Sequence, residues 1–134
     1  IDNNDKVEAT ASHNGYEKSF GCIHKRIISI DKSTDNLSGY DEIIKTADGK
    51  PINYSLRFHL YPGLLAVKTM GGDSVLIQLS KKKSLIFTVD NEIVLLERSI
   101  FLGTNKILDN TCVTVSGILV NKNKKIHWEI KKNI

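Results

Sequence analysis

Residues 52–61 alternate between apolar and polar side chains, and this pattern constrains the fold more than any other feature of the chain. The apolar side chains fall at the even positions, namely Ile52, Tyr54, Leu56, Phe58 and Leu60. The polar ones fall at the odd positions, namely Asn53, Ser55, Arg57, His59 and Tyr61. Successive side chains of a β-strand point to opposite faces, so a period of two predicts a strand with one buried and one exposed face. Pro62 and Gly63 end the segment.

Similar short segments recur along the chain and are separated by turn-forming residues. They are rich in β-branched residues, and their spacing of about 8–12 residues is typical of antiparallel sandwiches and barrels. The predicted strands cover residues 7–13, 23–30, 40–46, 52–61, 64–70, 74–80, 85–89, 93–102, 111–120 and 126–131. We therefore predict an all-β antiparallel sandwich of about ten strands, with no helix, forming a single domain over residues 1–134.

Three turns carry the strongest signals. Gly71-Gly72-Asp73 separates two apolar runs and predicts a hairpin. Asp48-Gly49 predicts a tight reversal after the third strand, and Asp90-Asn91 predicts another turn. A further turn is expected at residues 121–124, before the closing strand.

The charge of the chain is mildly basic, with a net charge of +4 and a pI of about 9.0. Lysines cluster in predicted turns, where they either solvate and protect strand edges or attract an acidic polymer. No helix-turn-helix, zinc-finger, nucleotide-loop or RNA-binding motif appears, so we expect no nucleic-acid partner. No apolar run approaches the roughly 20 residues of a membrane-spanning helix, so no membrane partner is expected.

Cysteine and histidine usage argues against a metal or cofactor. Cys22 and Cys112 are far apart in the chain, and two buried thiols are favoured over one disulfide. No Cys-x-x-Cys unit is present, and the four histidines are scattered. No catalytic residue, metal ligand or cofactor site is therefore assigned.

Six side chains are candidates for substrate binding. They are polar or aromatic groups at strand ends or on polar strand faces, namely His13, Tyr16, His24, Arg26, Arg57 and His59. His24 and Arg26 project to the same side of one strand and could bind a carboxylate together, although an exposed sheet face explains them equally well. Arg57 and His59 form a second pair of this kind. His13 and Tyr16 flank a glycine, where local hydrogen bonding in a turn is the plainer interpretation.

Trp128 is expected in the core rather than at a sugar-stacking surface. Its neighbours at a period of two are Ile126 and Ile130, so all three share one face of the closing strand.

Five segments together resemble the heparinase II/III-like polysaccharide lyases. They match in order and spacing, from about residue 7 onward, and are the sequences HNGY at 13–16, FGCIHKR at 20–26, RFHLYPG at 57–63, ERSIFLG at 97–103 and IHWEI at 126–130. The resemblance lies in the last part of the C-terminal β-sandwich of that family. Two positions depart from the pattern: Asn14 stands where an Asp is usual, and Tyr61 where a second His is frequent.

The resemblance implies that an N-terminal α/α toroid is a partner of this sandwich and that the substrate is an acidic polysaccharide cleaved by β-elimination. That reaction needs a base, a group that neutralises the carboxylate, and an acid for the leaving oxygen. In the family, the best-defined residues of this kind lie in the toroid and in earlier strands. Since Ile1 is not Met, we expect the chain to be part of a longer protein and to lack catalysis by itself. A periplasmic or secreted setting would follow from the family.

Three functions remain open from the sequence. The first is a sandwich module that acts with a toroid against acidic polysaccharide. The second is a stand-alone carbohydrate-binding module, and the third is a structural unit without a ligand.

Overall fold

The computed structural model describes residues 2–103, 105–120 and 122–133, and within them the chain forms ten strands and one short helix. In chain order they are β1 (Lys6–His13), α1 (Glu17–Phe20), β2 (Cys22–Asp31), β3 (Asn36–Lys45), β4 (Ile52–His59), β5 (Leu65–Lys68), β6 (Ser74–Gln78), β7 (Ser84–Val89), β8 (Val94–Phe101), β9 (Leu108–Leu119) and β10 (Lys124–Asn133). Each predicted strand is present, and the predicted all-β antiparallel sandwich is confirmed.

The expectation that the chain contains no helix was wrong at one place. Helix α1 is a single turn, in which the N–H of Phe20 donates to the carbonyl of Tyr16. It ends at Gly21, whose φ of 65° is left-handed and is a conformation that glycine adopts without steric cost. Four residues are too few to show the 3.6-residue period, so the sequence pattern does not reveal this turn.

The chain divides into two compact units. The first contains the residues up to Tyr54 together with Gly117–Ile130. Its sheet has the strand order β1-β2-β3-β10, with antiparallel neighbours throughout. In the register of this sheet, His13 lies opposite His24, Arg26 opposite Asp41, and Trp128 opposite Gly39. The prediction of a single domain stays a prediction.

A compact apolar cluster lies in the first unit. It consists of Cys22, Ile43, Ile52 and Leu119, against which Tyr54 packs. All four side chains are buried, so each contributes hydrophobic stabilisation of about 25 cal/mol per Å² of apolar surface removed from water.

The second unit contains Ser55–Ser116 together with the residues from Lys131 onward. In it β5, β6 and β7 pair in sequence, and β9 lies between β4 and β8 in a second sheet. The rings of Phe58 and Phe87 meet at a centroid distance of 5.0 Å. Phe87 is 1% exposed, and it is one of the largest wholly buried side chains of this unit.

Strand β4 follows the predicted alternation. Ile52 and Leu56 are buried, whereas Arg57 and His59 are exposed. The period-two pattern is thus confirmed residue by residue, and it places the two predicted site residues of this strand in solvent.

The turns show where local sequence is and is not sufficient. Gly71-Gly72-Asp73 does form the hairpin between β5 and β6, with φ of 81° at Gly72. Asp48-Gly49 does not make a hairpin, because β3 and β4, which flank it, belong to different sheets. Asn91 adopts the left-handed φ of 57° at the turn after β7. The turn expected at 121–124 includes Asn121, which lies outside the described residues.

Candidate functional site

The first unit contains a wholly buried carboxylate that the sequence analysis did not single out. Asp41 lies in the middle of β3 and is 0% exposed. The alternation of β3 places it on the same face as Gly39 and Ile43, which is the face that carries the apolar cluster. Isolated buried carboxylates are strongly disfavoured, so its neighbours must supply charge and hydrogen bonds.

Three side chains surround the carboxylate of Asp41. Arg26 donates from Nε to Oδ1 at 2.7 Å and from Nη2 to Oδ2 at 3.2 Å. His24 Nε2 lies 2.6 Å from Oδ1, and Trp128 donates from Nε1 to Oδ2 at 3.0 Å. Both carboxylate oxygens therefore accept two hydrogen bonds each, and a guanidinium balances the charge.

This arrangement changes the interpretation of His24 and Arg26. From the sequence, the two side chains were candidates either for binding a substrate carboxylate together or for an exposed sheet face. In the structure, the carboxylate that they contact is Asp41 of the same chain. Their side chains are 25% and 32% exposed. Both side chains are therefore held by the buried carboxylate of Asp41, and only part of their surface faces solvent.

Trp128 is 5% exposed, which confirms its predicted place in the core. Its ring packs over the backbone of Gly39, where a side chain would lie 2.7 Å from Cζ2 of the indole. One signal in the sequence could have revealed this site, namely an acidic residue at an inward position of an apolar strand.

A row of rings leads away from the buried carboxylate, and we call His13, Tyr16 and Phe20 the aromatic ridge. The rings of Tyr16 and Phe20 are 6.2 Å apart between centroids, and those of His13 and Tyr16 are 5.1 Å apart. His13 continues to His24 at 5.4 Å. All three contacts are edge-to-face, which is a favourable geometry for aromatic pairs.

The ridge is exposed to solvent. Tyr16 is 49% and Phe20 is 59% exposed. The backbone N–H of Gly15 donates to Nδ1 of His13 at 3.2 Å, which confirms the predicted local hydrogen bond in this turn. Phe20 was absent from the predicted site, because only α1 brings its ring next to that of Tyr16.

Arg57 and His59, the other predicted pair, lie on the exposed face of β4 in the second unit. Arg57 Nη1 is 3.2 Å from Oε2 of Glu97, which also accepts a hydrogen bond from Thr114 Oγ1 at 3.3 Å. The Arg57 side chain is 52% exposed, so solvent screens this ion pair strongly. The first unit thus brings together four of the predicted site residues, namely His13, Tyr16, His24 and Arg26. The other two, Arg57 and His59, belong to the second unit.

Both cysteines are buried thiols. Burial raises the pKa of the Cys22 thiol, and the positive charge of Lys45 opposes that rise only in part. A raised pKa lowers the fraction of reactive thiolate, so neither geometry nor acidity suits Cys22 for nucleophilic chemistry.

We accordingly expect both thiols to resist alkylation in the folded chain at neutral pH. The rate of reaction with iodoacetamide should rise at least about tenfold on addition of denaturant, because reaction requires opening of the fold. Mass spectrometry of the alkylated chain measures both sites separately. Rapid modification of Cys22 under native conditions would contradict its burial.

Among residues 2–103, 105–120 and 122–133, no three or more His, Cys, Asp or Glu side chains are grouped so as to hold a metal ion. No helix in the same part of the chain has the length and apolar character needed to cross a membrane.

Comparison with known proteins agrees with this fold. The heparan sulfate lyase HepC from Pedobacter heparinus superposes with a TM-score of 0.82 at 14% identity, covering 98% of this chain and 20% of the lyase. The heparinase III BT4657 gene product gives a TM-score of 0.77 at 12% identity, with the same coverages of 98% and 20%. This chain thus corresponds to about one fifth of the length of either protein. A search of curated protein sequences finds no match.

The sequence also matches a family model, described as heparinase II/III-like, C-terminal, over residues 1–129. This match extends across nearly all of the elements described above, from β1 into β10. The chain therefore belongs to the heparinase II/III-like family, whose C-terminal domain it matches.

Proposed function

We propose that this chain acts together with an α/α toroid, in the same protein or a separate one, as the sandwich module of a polysaccharide lyase. The substrate in this proposal is an acidic polysaccharide. The observation that carries the proposal is the family match over residues 1–129. The similar structures are named as a heparan sulfate lyase and a heparinase III, and this chain corresponds to 20% of each.

His24, Arg26 and Arg57 are engaged in contacts within the chain, which argues against their acting as the base or acid of catalysis. β-Elimination requires a base and an acid that can reach the reacting atoms. The side chains of His24 and Arg26 contact Asp41, and Arg57 is paired with Glu97. In our proposal, the base and acid therefore come from the toroid partner, while this chain holds the polysaccharide.

A product assay tests this division of labour. The chain alone is incubated with heparin, heparan sulfate or alginate, and the ultraviolet absorbance of the unsaturated product is followed. We expect no product from the chain alone or from the toroid alone, and product from the two together. Product formed by this chain by itself would contradict the assignment of catalysis to the toroid.

A stand-alone carbohydrate-binding module is the alternative, and the exposure of Arg57 favours it. A half-exposed guanidinium on a polar strand face can exchange Glu97 for an acidic glycan at little cost. Such binding is sensitive to salt, because the Debye length falls from about 10 Å at 0.1 M to about 3 Å at 1 M. This alternative predicts saturable binding to acidic glycans without a toroid.

For Arg57→Ala we expect about threefold weaker binding of heparin at low salt, which corresponds to an exposed ion pair of about 0.6 kcal/mol. The difference should vanish at high salt. Arg98→Ala is the matched control, because Arg98 is 90% exposed on strand β8 of the same sheet and carries the same charge. Equal losses in the two variants would show a general effect of net charge rather than a site at Arg57.

A further inference from the structure

We propose that the aromatic ridge of His13, Tyr16 and Phe20 is a stacking subsite for one pyranose ring of the polysaccharide. The inference rests on the proposed function in one respect, namely that the ligand is a glycan. Beyond that function, we infer that Phe20 contacts the sugar. His24 and Arg26 support the ridge and do not bind the ligand.

The backbone beneath the ridge is held rigidly. The N–H of Phe20 donates to Tyr16 at 2.8 Å, and the N–H of Gly21 donates to Glu17 at 2.9 Å. The carbonyl of Gly21 in turn accepts from the N–H of Thr46 at 2.8 Å, which ties the end of α1 to the chain beyond β3. These bonds fix the backbone positions from which the rings of Tyr16 and Phe20 project, so a ligand that stacks on them does not have to order the backbone.

The ridge is also anchored at its other end. His13 contacts His24, whose Nε2 lies 2.6 Å from the buried carboxylate of Asp41. Arg26 holds the same carboxylate through two hydrogen bonds. His24 and Arg26 are therefore positioning residues, which fix the ring of His13 without needing to touch the sugar.

The polar atoms along the ridge suit a sugar. Because Nδ1 of His13 accepts the N–H of Gly15, the hydrogen of the neutral imidazole is assigned to Nε2, which can donate to a ligand. The Tyr16 hydroxyl forms no hydrogen bond with the described part of the chain. A pyranose ring combines an apolar C–H face with hydroxyl groups at its rim, and it can therefore stack on the rings while bonding to these two groups.

The surroundings of the ridge favour a glycan over a protein partner. The residues between the two exposed rings are Glu17, Lys18 and Ser19, and all three are exposed and polar. Protein interfaces have apolar, well-packed centres with charged residues depleted, and this turn has charged neighbours instead. Glu17 and Lys18 place opposite charges in the same turn, so the subsite relies on stacking rather than on charge.

The test measures binding of heparin, heparan sulfate and alginate oligosaccharides to the chain by isothermal titration calorimetry. Tyr16→Ala and Phe20→Ala should each weaken binding by about tenfold, near the upper end of the energy of an aromatic contact. Phe20→Tyr should retain binding within about twofold, because it keeps the ring. Tyr61→Ala is the control, since Tyr61 is 65% exposed and contacts Phe101 in the second unit. Unchanged thermal unfolding shows that the variants fold.

Salt separates stacking from charge in the same experiment. The ratio of affinities between the parent and Phe20→Ala should stay constant as salt rises, whereas any effect of Arg57→Ala should disappear. A ratio that collapses at high salt would overturn the assignment of the ridge to stacking.

Three other results would overturn the inference. Full affinity in Tyr16→Ala and Phe20→Ala would do so while leaving the proposed function intact. If Phe20→Ala binds glycans normally but no longer associates with the toroid, the ridge is a protein contact. If the parent chain binds none of the three glycans, the subsite is excluded, and the lyase proposal is then decided separately by the product assay with the toroid.

Discussion

Replacing Asp41 with Asn should lower the free energy of unfolding by about 3–4 kcal/mol, the largest effect we expect from an isosteric change in this chain. Asn keeps the shape of Asp but loses the negative charge that Arg26 and His24 face. If the amide NH₂ of Asn takes the place of Oδ2, it faces two donors, Arg26 Nη2 and Trp128 Nε1, and can accept a hydrogen bond from neither. The half-buried guanidinium of Arg26 and the buried indole N–H of Trp128 would each lose the acceptor they have at Oδ2, which is costly.

Urea unfolding followed by tryptophan fluorescence measures this change, because Trp128 is the only tryptophan and contacts Asp41 directly. Glu42→Gln is the matched control. Glu42 is the next residue of β3, and its partner Lys125 is 3.6 Å away with a side chain that is 45% exposed. That pair should contribute at most about 1 kcal/mol. A similar small effect for both variants would contradict the role of Asp41 as the anchor of this sheet.

Gly39→Ala should destabilise the chain by about 2–3 kcal/mol, the second largest effect we expect. A methyl group at this position would lie 2.7 Å from Cζ2 of Trp128 and would also collide with the carbonyl oxygen of Ile27. The carbonyl oxygen of Ile27 is a backbone atom of the neighbouring strand β2, so it cannot move aside as the end of a flexible side chain can. The added methyl must therefore displace the indole or separate the strands.

Thermal and urea unfolding measure the loss. Gly71→Ala is a suitable control, because a methyl group there would meet only Oδ1 of Asp73, at 3.3 Å. We expect that control to change stability by less than about 1 kcal/mol. Displacement of the indole should also weaken the hydrogen bond from Trp128 to Asp41, so the fluorescence of folded Gly39→Ala should shift. An unchanged stability would show that β2 and β3 can separate slightly at no cost.

The two variants act on one structural unit, in which Gly39 makes room for Trp128 and Trp128 helps to satisfy Asp41. Sequence periodicity predicted that Trp128 is buried, but the predicted third strand began at Tyr40 and so excluded Gly39. The structure extends β3 back to Asn36. Because glycine lowers strand propensity, a strand predicted from the sequence pattern begins after it. In the structure Gly39 lies inside β3, where the packing of the Trp128 indole leaves no room for a side chain.

The candidate site was predictable only in part, because its members meet across the sheet. His13, Tyr16, His24 and Arg26 were found as polar or aromatic side chains at strand ends and on strand faces. Asp41 was missed, because its partners lie 15, 17 and 87 positions away in the chain. Phe20 was missed because a single turn of helix carries it and is too short to show a period.

Local sequence alone determined the strands of this protein and the exposed and buried faces of β4, because the side chains of an extended chain alternate whatever its partners are. Tertiary structure alone decided which strands pair. It brought Asp41 beneath His24 and Arg26, and it sent the chain after Asp48-Gly49 into a different sheet instead of back along β3. The physical reason is that pairing and burial depend on the summed contacts of residues distant in the chain, which no local pattern encodes.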